Sequence, residues 1–166
     1  MDSEQGFVYS GFIADQLGWE RARQASLDER GGKLQQAASL TAGLIVAALG
    51  ALTGATAELN AWSLGLFVGT IIILALAFLF GVLTTRLVDY EVADTQTLRH
   101  MTDDHWKDNV VDSRSVVAWL NATTIASLRQ GNNFKASRLH RGIVCQGIGV
   151  ALGAATFAAA AVPKLT

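Results

Sequence analysis

The stretch LNAWSLGLFVGTIIILALAFLFGVLTT, residues 59–85, contains 27 consecutive residues without a charged side chain. A second stretch of 24 uncharged residues, LQQAASLTAGLIVAALGALTGATA, covers residues 34–57. A helix of about 20 apolar residues crosses the ~30 Å hydrocarbon core of a bilayer. Each stretch therefore predicts a transmembrane helix. Because Glu58 alone separates them, the two helices form a hairpin.

A third uncharged stretch, GIVCQGIGVALGAATFAAAAVP, covers residues 142–163 and predicts a third transmembrane helix. It is rich in alanine, so a buried helix of a soluble protein is the alternative for this stretch. The composition, 51% apolar and 16% charged residues, favours the membrane interpretation. The predicted fold class is an all-α membrane protein with three transmembrane helices.

Basic residues predict the orientation of these helices. They flank the 34–85 hairpin and the start of the third helix, and they are absent from the 58–62 turn. The positive-inside rule places the N-terminus and residues 86–141 in the cytoplasm, and the 164–166 tail outside. The chain is thus predicted to consist of five parts. Residues 1–33 form a cytoplasmic or interfacial helix, residues 34–85 the hairpin and residues 86–141 a helical insert. Residues 142–163 form the third span, and residues 164–166 are the tail.

The 86–141 insert is too long for a simple loop and is expected to be helical. Thr102 is the expected N-cap of this helix. Four residues recur at helical spacing on an amphipathic face: Val117, Leu120, Thr124 and Leu128. We expect the second and third membrane helices to project into the cytoplasm as an antiparallel hairpin. A bend at Gly131-Asn132-Asn133 precedes the third span.

The N-terminal segment contains a stripe of Tyr9, Ile13 and Leu17, which fits either an interfacial helix or a helix packed on the insert. Downstream, residues 26–29 resemble a capping box, and Glu29 and Lys33 are spaced for an i,i+4 ion pair. Gly31-Gly32 either loosens the chain at the membrane interface or lies within one continuous helix.

The sequence contains no catalytic motif, and we predict no enzyme activity, catalytic residue, metal or cofactor. Asp104, Asp108 and Asp112 recur every four residues, which predicts one acidic helix face for docking a cytoplasmic partner. A cation held by this face together with His105 is one alternative. The other is a solvated face whose carboxylates pair with Arg114, Arg129, Lys135 or Arg138. The basic cluster Lys135, Arg138 and Arg141 is expected to bind lipid headgroups, or else a phosphate-bearing ligand.

Each predicted span contains one GxxxG motif, which permits close helix packing within or between subunits. The motif residues are Gly50 and Gly54, Gly65 and Gly69, and Gly149 and Gly153. Ionisable groups other than Cys145 are absent from the spans, which argues against an intramembrane proton relay. A pore would be lined by apolar, small and hydroxyl groups, unless those hydroxyls bond to backbone carbonyls.

The segments ERARQASLDERGGKL, residues 20–34, and LRQGNNFKASRLHRG, residues 128–142, flank the three predicted spans. In this order the chain resembles the small bacterial SLATT and Pycsar transmembrane effectors. The matching motifs are residues 26–30, SLDER, and residues 132–136, NNFKA. The resemblance implies a bacterial inner-membrane protein of antiviral defence that oligomerises and permeabilises or depolarises the membrane when triggered.

Two functions from different classes follow. The first is a homo-oligomeric effector whose partners are the lipid bilayer, its own copies, and a cytoplasmic signalling protein or nucleotide signal. The second is a non-conducting scaffold or accessory subunit that docks a cytoplasmic partner. A membrane enzyme is a more distant third. The net charge of −1 points to no nucleic-acid partner.

Overall fold

A computed structural model of the chain describes residues 2–54, 61–86, 88, 90–105 and 108–161. Over these residues the chain forms four α-helices: α1 Asp2–Gly54, α2 Ala61–Thr85, α3 Thr95–Asp103 and α4 Val110–Ala161. Helices α1, α2 and α4 are long and apolar enough to cross a membrane. The predicted all-α membrane-protein fold class is therefore confirmed. The 164–166 tail and most of the 58–62 turn lie outside the described residues.

The chain divides into two compact units. Unit 1 comprises Met1–Ser26 and Leu87–Phe134, and unit 2 comprises Leu27–Arg86 and Lys135–Thr166. The predicted 34–85 hairpin therefore falls entirely in unit 2, together with the third span.

Helix α1 continues without interruption through Gly31 and Gly32, so the prediction of a capping box at residues 26–29 is wrong. The predicted ion pair is confirmed, with Lys33 Nζ 2.6 Å from Glu29 Oε1. A Cβ atom on Gly31 would lie 3.0 Å from Thr84 Cβ on α2. Gly31 thus permits close packing between two helices and does not interrupt its own.

Both long helices bury positions that alternate in steps of three and four residues, the 3.5-residue period of coiled-coil packing. In α1 the members of this buried or half-buried series are Ile13, Leu17, Glu20, Gln24, Leu27, Gly31, Leu34, Ala38, Thr41 and Ile45. In α4 they are Ala118, Asn121, Ile125, Leu128, Asn132, Lys135, Leu139, Gly142, Gln146, Gly149, Gly153 and Thr156. Several members of each series are polar, so the period does not show as an apolar stripe.

In unit 1 the N-terminal part of α1 packs against the N-terminal part of α4. Leu17, Ile125 and Leu128 form the core, and Ile13 and Tyr90 pack against it. The Ile13 and Leu17 stripe therefore faces another helix, as the packed alternative expected. The expected projection of the second span as one arm of a hairpin is wrong, because α2 ends at Thr85 and the N-terminal part of α1 is the partner of α4.

Two capped helix starts replace the single start expected at Thr102. The side chain of Asp94 accepts a hydrogen bond from Thr97 N at 2.7 Å and begins α3. Asn109 Oδ1 accepts from the backbone N–H groups of Val111 and Asp112, both at 2.9 Å, before α4. Because these caps satisfy N–H groups that lack intrahelical partners, helices begin after them. Thr102 lies in the last turn of α3, so its predicted role as an N-cap is wrong.

In unit 2, α2 runs antiparallel to α1 and α4. Early residues of α2 approach late residues of α4, with Thr70 near Gly153 and Leu74 near Gly149. At the other end of α2, a Cβ atom on Gly81 would lie 3.0 Å from the backbone oxygen of Gly31 on α1. Glycines thus bring the three helices into close contact, as expected where packing replaces the hydrophobic effect.

Candidate functional site: polar contacts on the buried helix faces

A cluster around Glu20 joins α1 to α4 in unit 1. Arg129 Nε donates to Glu20 Oε1 at 2.9 Å, and the buried side chain of Asn132 donates to both Glu20 Oε2 and the Glu20 backbone oxygen at 3.0 Å. Arg129 also donates to Gln16 Oε1 at 3.0 Å, and Arg23 lies 3.7 Å from Glu20 Oε2. The carboxylate therefore has charged and neutral donors that compensate for its burial.

The pKa of Glu20 reflects opposing influences. Burial raises the pKa, but hydrogen bonds from Asn132 and Arg129 and the positive charges of Arg23 and Arg129 outweigh it. The pKa of Glu20 is therefore below its ordinary value of 4.5. At neutral pH this side chain is a carboxylate, which is the state that its donors favour.

A second ion pair joins the same two helices in unit 2. Lys135 Nζ lies 2.5 Å from Asp28 Oδ1, and the lysine side chain is only 2% exposed whereas the aspartate side chain is 37% exposed. Leu27, Leu34 and Leu139 form an apolar cluster in this unit, with Ala136 packed against it. Lys135 was expected to reach lipid headgroups, but in the structure it points into the protein. The paired carboxylate explains this, because an unpaired ammonium would not remain buried.

Arg138 is half-buried, and its guanidinium donates to the backbone oxygen of Leu83 at 3.1 Å. Leu83 lies in the last turn of α2, where carbonyl groups lack intrahelical partners. Arg138 therefore caps α2, a role that the headgroup prediction did not include. Arg141 is exposed, and its contact with lipid headgroups stays a prediction.

Several polar side chains within the spans bond to their own helix. The hydroxyls of Thr70, Thr84 and Thr156 donate to backbone oxygens four residues earlier at 2.8–2.9 Å. Gln146 Nε2 instead donates to Thr41 Oγ1 at 3.0 Å and links α4 to α1. The three hydroxyl groups therefore hydrogen-bond to carbonyl groups of their own helices. This is the arrangement that the sequence offered as the alternative to hydroxyls that line a pore.

The three GxxxG motifs are used differently. Cβ atoms on Gly149 and Gly153 would lie 2.6 Å from Leu74 and 2.7 Å from Ile45, so the third motif packs inside the chain. At Gly50, Gly65 and Gly69, no heavy atom of the described residues lies within 4 Å of the corresponding Cβ position. The side-chain position of Gly54 lies outside the described residues.

The three aspartates predicted to share one helix face do not do so. Asp104 is the C-cap of α3, Asp108 lies between α3 and α4, and Asp112 is in the first turn of α4. The first two approach His100 Nδ1 and His105 Nδ1, at 2.7 and 2.9 Å respectively. The expectation of a single acidic face is wrong because the helix does not continue from residue 102 to residue 112.

Large apolar side chains remain exposed in unit 1. Trp19 is 70% exposed and Trp119 is 67% exposed, and Phe7 and Phe12 are similarly accessible. An open groove of about 560 Å³ lies nearby, and its lining includes Phe7 and Arg114. Such surfaces in a polar environment are typical of contacts with other molecules.

No three His, Cys, Asp or Glu side chains of the described residues are grouped so that they could hold a metal ion. No protein-family model matches the chain, and neither a curated protein nor a solved structure does. Function therefore has to be inferred from the helix packing and from the buried polar contacts.

The main participants in the two ion-pair contacts were not singled out from the sequence as site residues, apart from Lys135: Glu20, Asp28, Arg129 and Asn132. The sequence feature that could have revealed them is a 3.5-residue repeat in α4 that includes Asn132 and Lys135, with polar residues at the matching positions of α1. A polar residue at such a position fixes the register of paired helices. Such a polar residue interrupts the apolar stripe, so the stripe alone does not reveal the buried face.

Proposed function

We propose that the chain is a homo-oligomeric protein of the bacterial inner membrane that permeabilises or depolarises the membrane on receiving a cytoplasmic signal. The observation that carries this proposal is the unequal use of the GxxxG motifs. The third motif packs inside the chain, whereas Gly65 and Gly69 on α2 have no described neighbour at their Cβ positions. Small residues on a lipid-facing surface favour close packing with another helix.

The distribution of polar groups supports the need for several copies. The hydroxyls of Thr70, Thr84 and Thr156 are used by their own helices, and the described helices of unit 2 pack closely through glycines. The described residues of one chain thus offer no polar path through the bilayer. Permeation then requires an opening between copies, gated by movement of their helices.

In the proposed orientation, the N-terminus and unit 1 lie in the cytoplasm and receive the signal. This follows the basic residues at the cytoplasmic ends of the spans. Arg86 and Arg141 are exposed there, as headgroup contacts require. A role in antiphage defence follows from the family resemblance and forms part of the proposal.

The test measures membrane potential in bacteria that express the full chain with its neighbouring genes and with phage as the trigger. The double variant Gly65→Leu/Gly69→Leu is expected to insert normally but to lose both oligomers and depolarisation. Ala75→Leu, exposed on another face of α2, is the control and should behave as wild type. Oligomers are measured by cross-linking in membranes. Absence of depolarisation and of growth arrest under every trigger would contradict the proposal.

A non-conducting scaffold that docks a cytoplasmic partner is the second candidate, and the exposed aromatic side chains of unit 1 favour it. Trp19→Ser is expected to change the free energy of unfolding by less than about 0.5 kcal/mol, because the side chain is at the surface. For a scaffold, the same variant loses a stoichiometric soluble partner in pull-downs from detergent. An effector without a scaffold role gives a ring of one chain and no such partner.

A further inference from the structure

Near the C-terminal end of α2, three polar contacts tie the helices of unit 2 to one another in pairs. Asp28 of α1 pairs with Lys135 of α4, Gln35 of α1 donates to Thr85 of α2, and Arg138 of α4 donates to the backbone oxygen of Leu83 on α2. At this end of unit 2, every pair of the three helices has one such contact. We call these six residues the polar collar.

The collar lies at one end of the apolar segments. Thr85 ends α2, and Asp28 and Lys135 each lie six or seven residues before the uncharged stretches that begin at residues 34 and 142. Farther along the spans, the helices meet through contacts such as Leu74 with Gly149 and Ile45 with Gly153. Such packing has no charged contact and permits small displacements, whereas the collar fixes which residues face one another.

Within the collar, the Asp28–Lys135 pair has unequal access to water. The side chain of Lys135 is 2% exposed and that of Asp28 is 37% exposed, so solvent reaches the carboxylate but not the ammonium. A buried ion pair contributes little net stability, because removing two charges from water offsets their attraction. Fixing a register or serving as a switch is the better-attested use of such a pair.

We infer that the polar collar is a releasable clamp that holds the three spans in their closed arrangement, and that separation of Lys135 from Asp28 is the step that frees α4. The opening role rests on the proposed membrane-permeabilising function. The clamp itself is a property of helix packing and is measurable without that function.

The experiment uses the full chain in vesicles of phosphatidylethanolamine and phosphatidylglycerol. Spin labels are placed at the exposed positions Gln36 of α1 and Ser137 of α4, in a Cys145→Ser background, and labelled chains are diluted with unlabelled ones. The distribution of distances between the two labels shows whether α1 and α4 are held in one arrangement. Release of an encapsulated dye from the same vesicles reports permeation.

Two single variants break the pair in different ways. Asp28→Asn leaves the buried ammonium without a carboxylate, and Lys135→Met removes the charge while keeping a long apolar side chain. Both are expected to broaden the distance distribution, Asp28→Asn more strongly. Asp28→Asn should also speed dye release about tenfold or more, since loss of one partner of a buried pair shifts an equilibrium by more than the ~1.4 kcal/mol that corresponds to tenfold.

Two further variants serve as controls. Asp28→Leu/Lys135→Met replaces the pair with apolar side chains and should keep the narrow wild-type distribution with slow dye release. Glu29→Gln breaks the adjacent exposed pair with Lys33 and should change neither measurement.

The outcomes separate the two proposals. Broadened distances with faster dye release support both, and broadened distances without any dye release support the clamp but contradict permeabilisation. Unchanged distances in folded Asp28→Asn overturn the clamp. If Asp28→Asn does not fold, Lys135→Met decides in the same way, because it leaves no unpaired buried charge.

Discussion

The α1–α4 contact is built differently in the two units. In unit 1, Glu20 bonds to Arg129 and Asn132 beside a small core of Leu17, Ile125 and Leu128. In the apolar part of unit 2, Gly153 of α4 instead lets Ile45 of α1 approach closely. Water makes burial of apolar surface favourable and polar groups easy to solvate, whereas in lipid close backbone packing drives association. The 3.5-residue repeat of buried positions therefore continues through both units, but different residue types occupy it in each unit.

The largest effect is expected where the glycine packing of unit 2 is blocked by backbone. Gly81→Leu would place its Cβ 3.0 Å from the Gly31 backbone oxygen and 3.2 Å from the Gln35 backbone nitrogen. Neither atom can move without shifting α1. We therefore expect the free energy of unfolding to fall by about 3 kcal/mol, or the variant protein not to accumulate in cells. Size-exclusion chromatography in detergent and thermal unfolding measure this.

Gly147→Leu is the control for this substitution, because no heavy atom of the described residues lies within 4 Å of its Cβ position. It should elute and unfold like wild type. Equal unfolding temperatures for Gly81→Leu and Gly147→Leu would show that close α1–α2 packing does not stabilise unit 2.

An intermediate effect is expected from the polar cluster of unit 1, where adjacent asparagines form a matched pair. Asn132 is fully buried and donates twice to Glu20, whereas Asn133 is exposed and accepts one hydrogen bond from Arg23 at 3.0 Å. Asn132→Ala should cost about 2–3 kcal/mol, because acceptors of Glu20 lose their buried donor. Asn133→Ala should cost less than about 0.5 kcal/mol.

Thermal unfolding followed by circular dichroism compares the two variants at equal detergent concentration. A cost for Asn133→Ala as large as that for Asn132→Ala would contradict the assignment of stability to the buried contact.

The smallest effect is expected from acid. The pKa of Glu20 is lower in the folded chain than its ordinary 4.5, so its stabilising contribution is fully present above pH 4.5 and is lost as pH falls through the folded value. The unfolding temperature of wild type should fall more steeply below pH 4.5 than that of Glu20→Gln. Parallel pH profiles for the two proteins would contradict this contribution.

The sequence predicted the fold class because uncharged stretches such as residues 34–57 and 59–85 exceed the length of a membrane span. Local pairs were also accessible, and the Glu29–Lys33 ion pair is confirmed. These features depend on composition or on neighbours along one helix.

The sequence left the helix pairing in unit 1 as one of two alternatives and did not predict the partners of the collar residues, because both depend on contacts between distant parts of the chain. Asn132 pairs with a residue 112 positions earlier and Lys135 with one 107 positions earlier. A lysine before an apolar stretch has the same local pattern whether it reaches headgroups or a buried carboxylate. The start of α4 was missed for another reason, since Asn109 and Thr102 are both acceptable caps by residue type.

The burial of Lys135 has a consequence for the order of assembly. Because Asp28 is synthesised 107 residues before Lys135, the carboxylate is already present when the lysine emerges. Until then Asp28 can remain hydrated, as its partial exposure in the finished protein permits. Lys135 can leave water only by docking against α1, so its ammonium is dehydrated only when α4 packs on α1. A mispaired third helix would keep that ammonium hydrated, which gives the nascent chain a check on correct insertion.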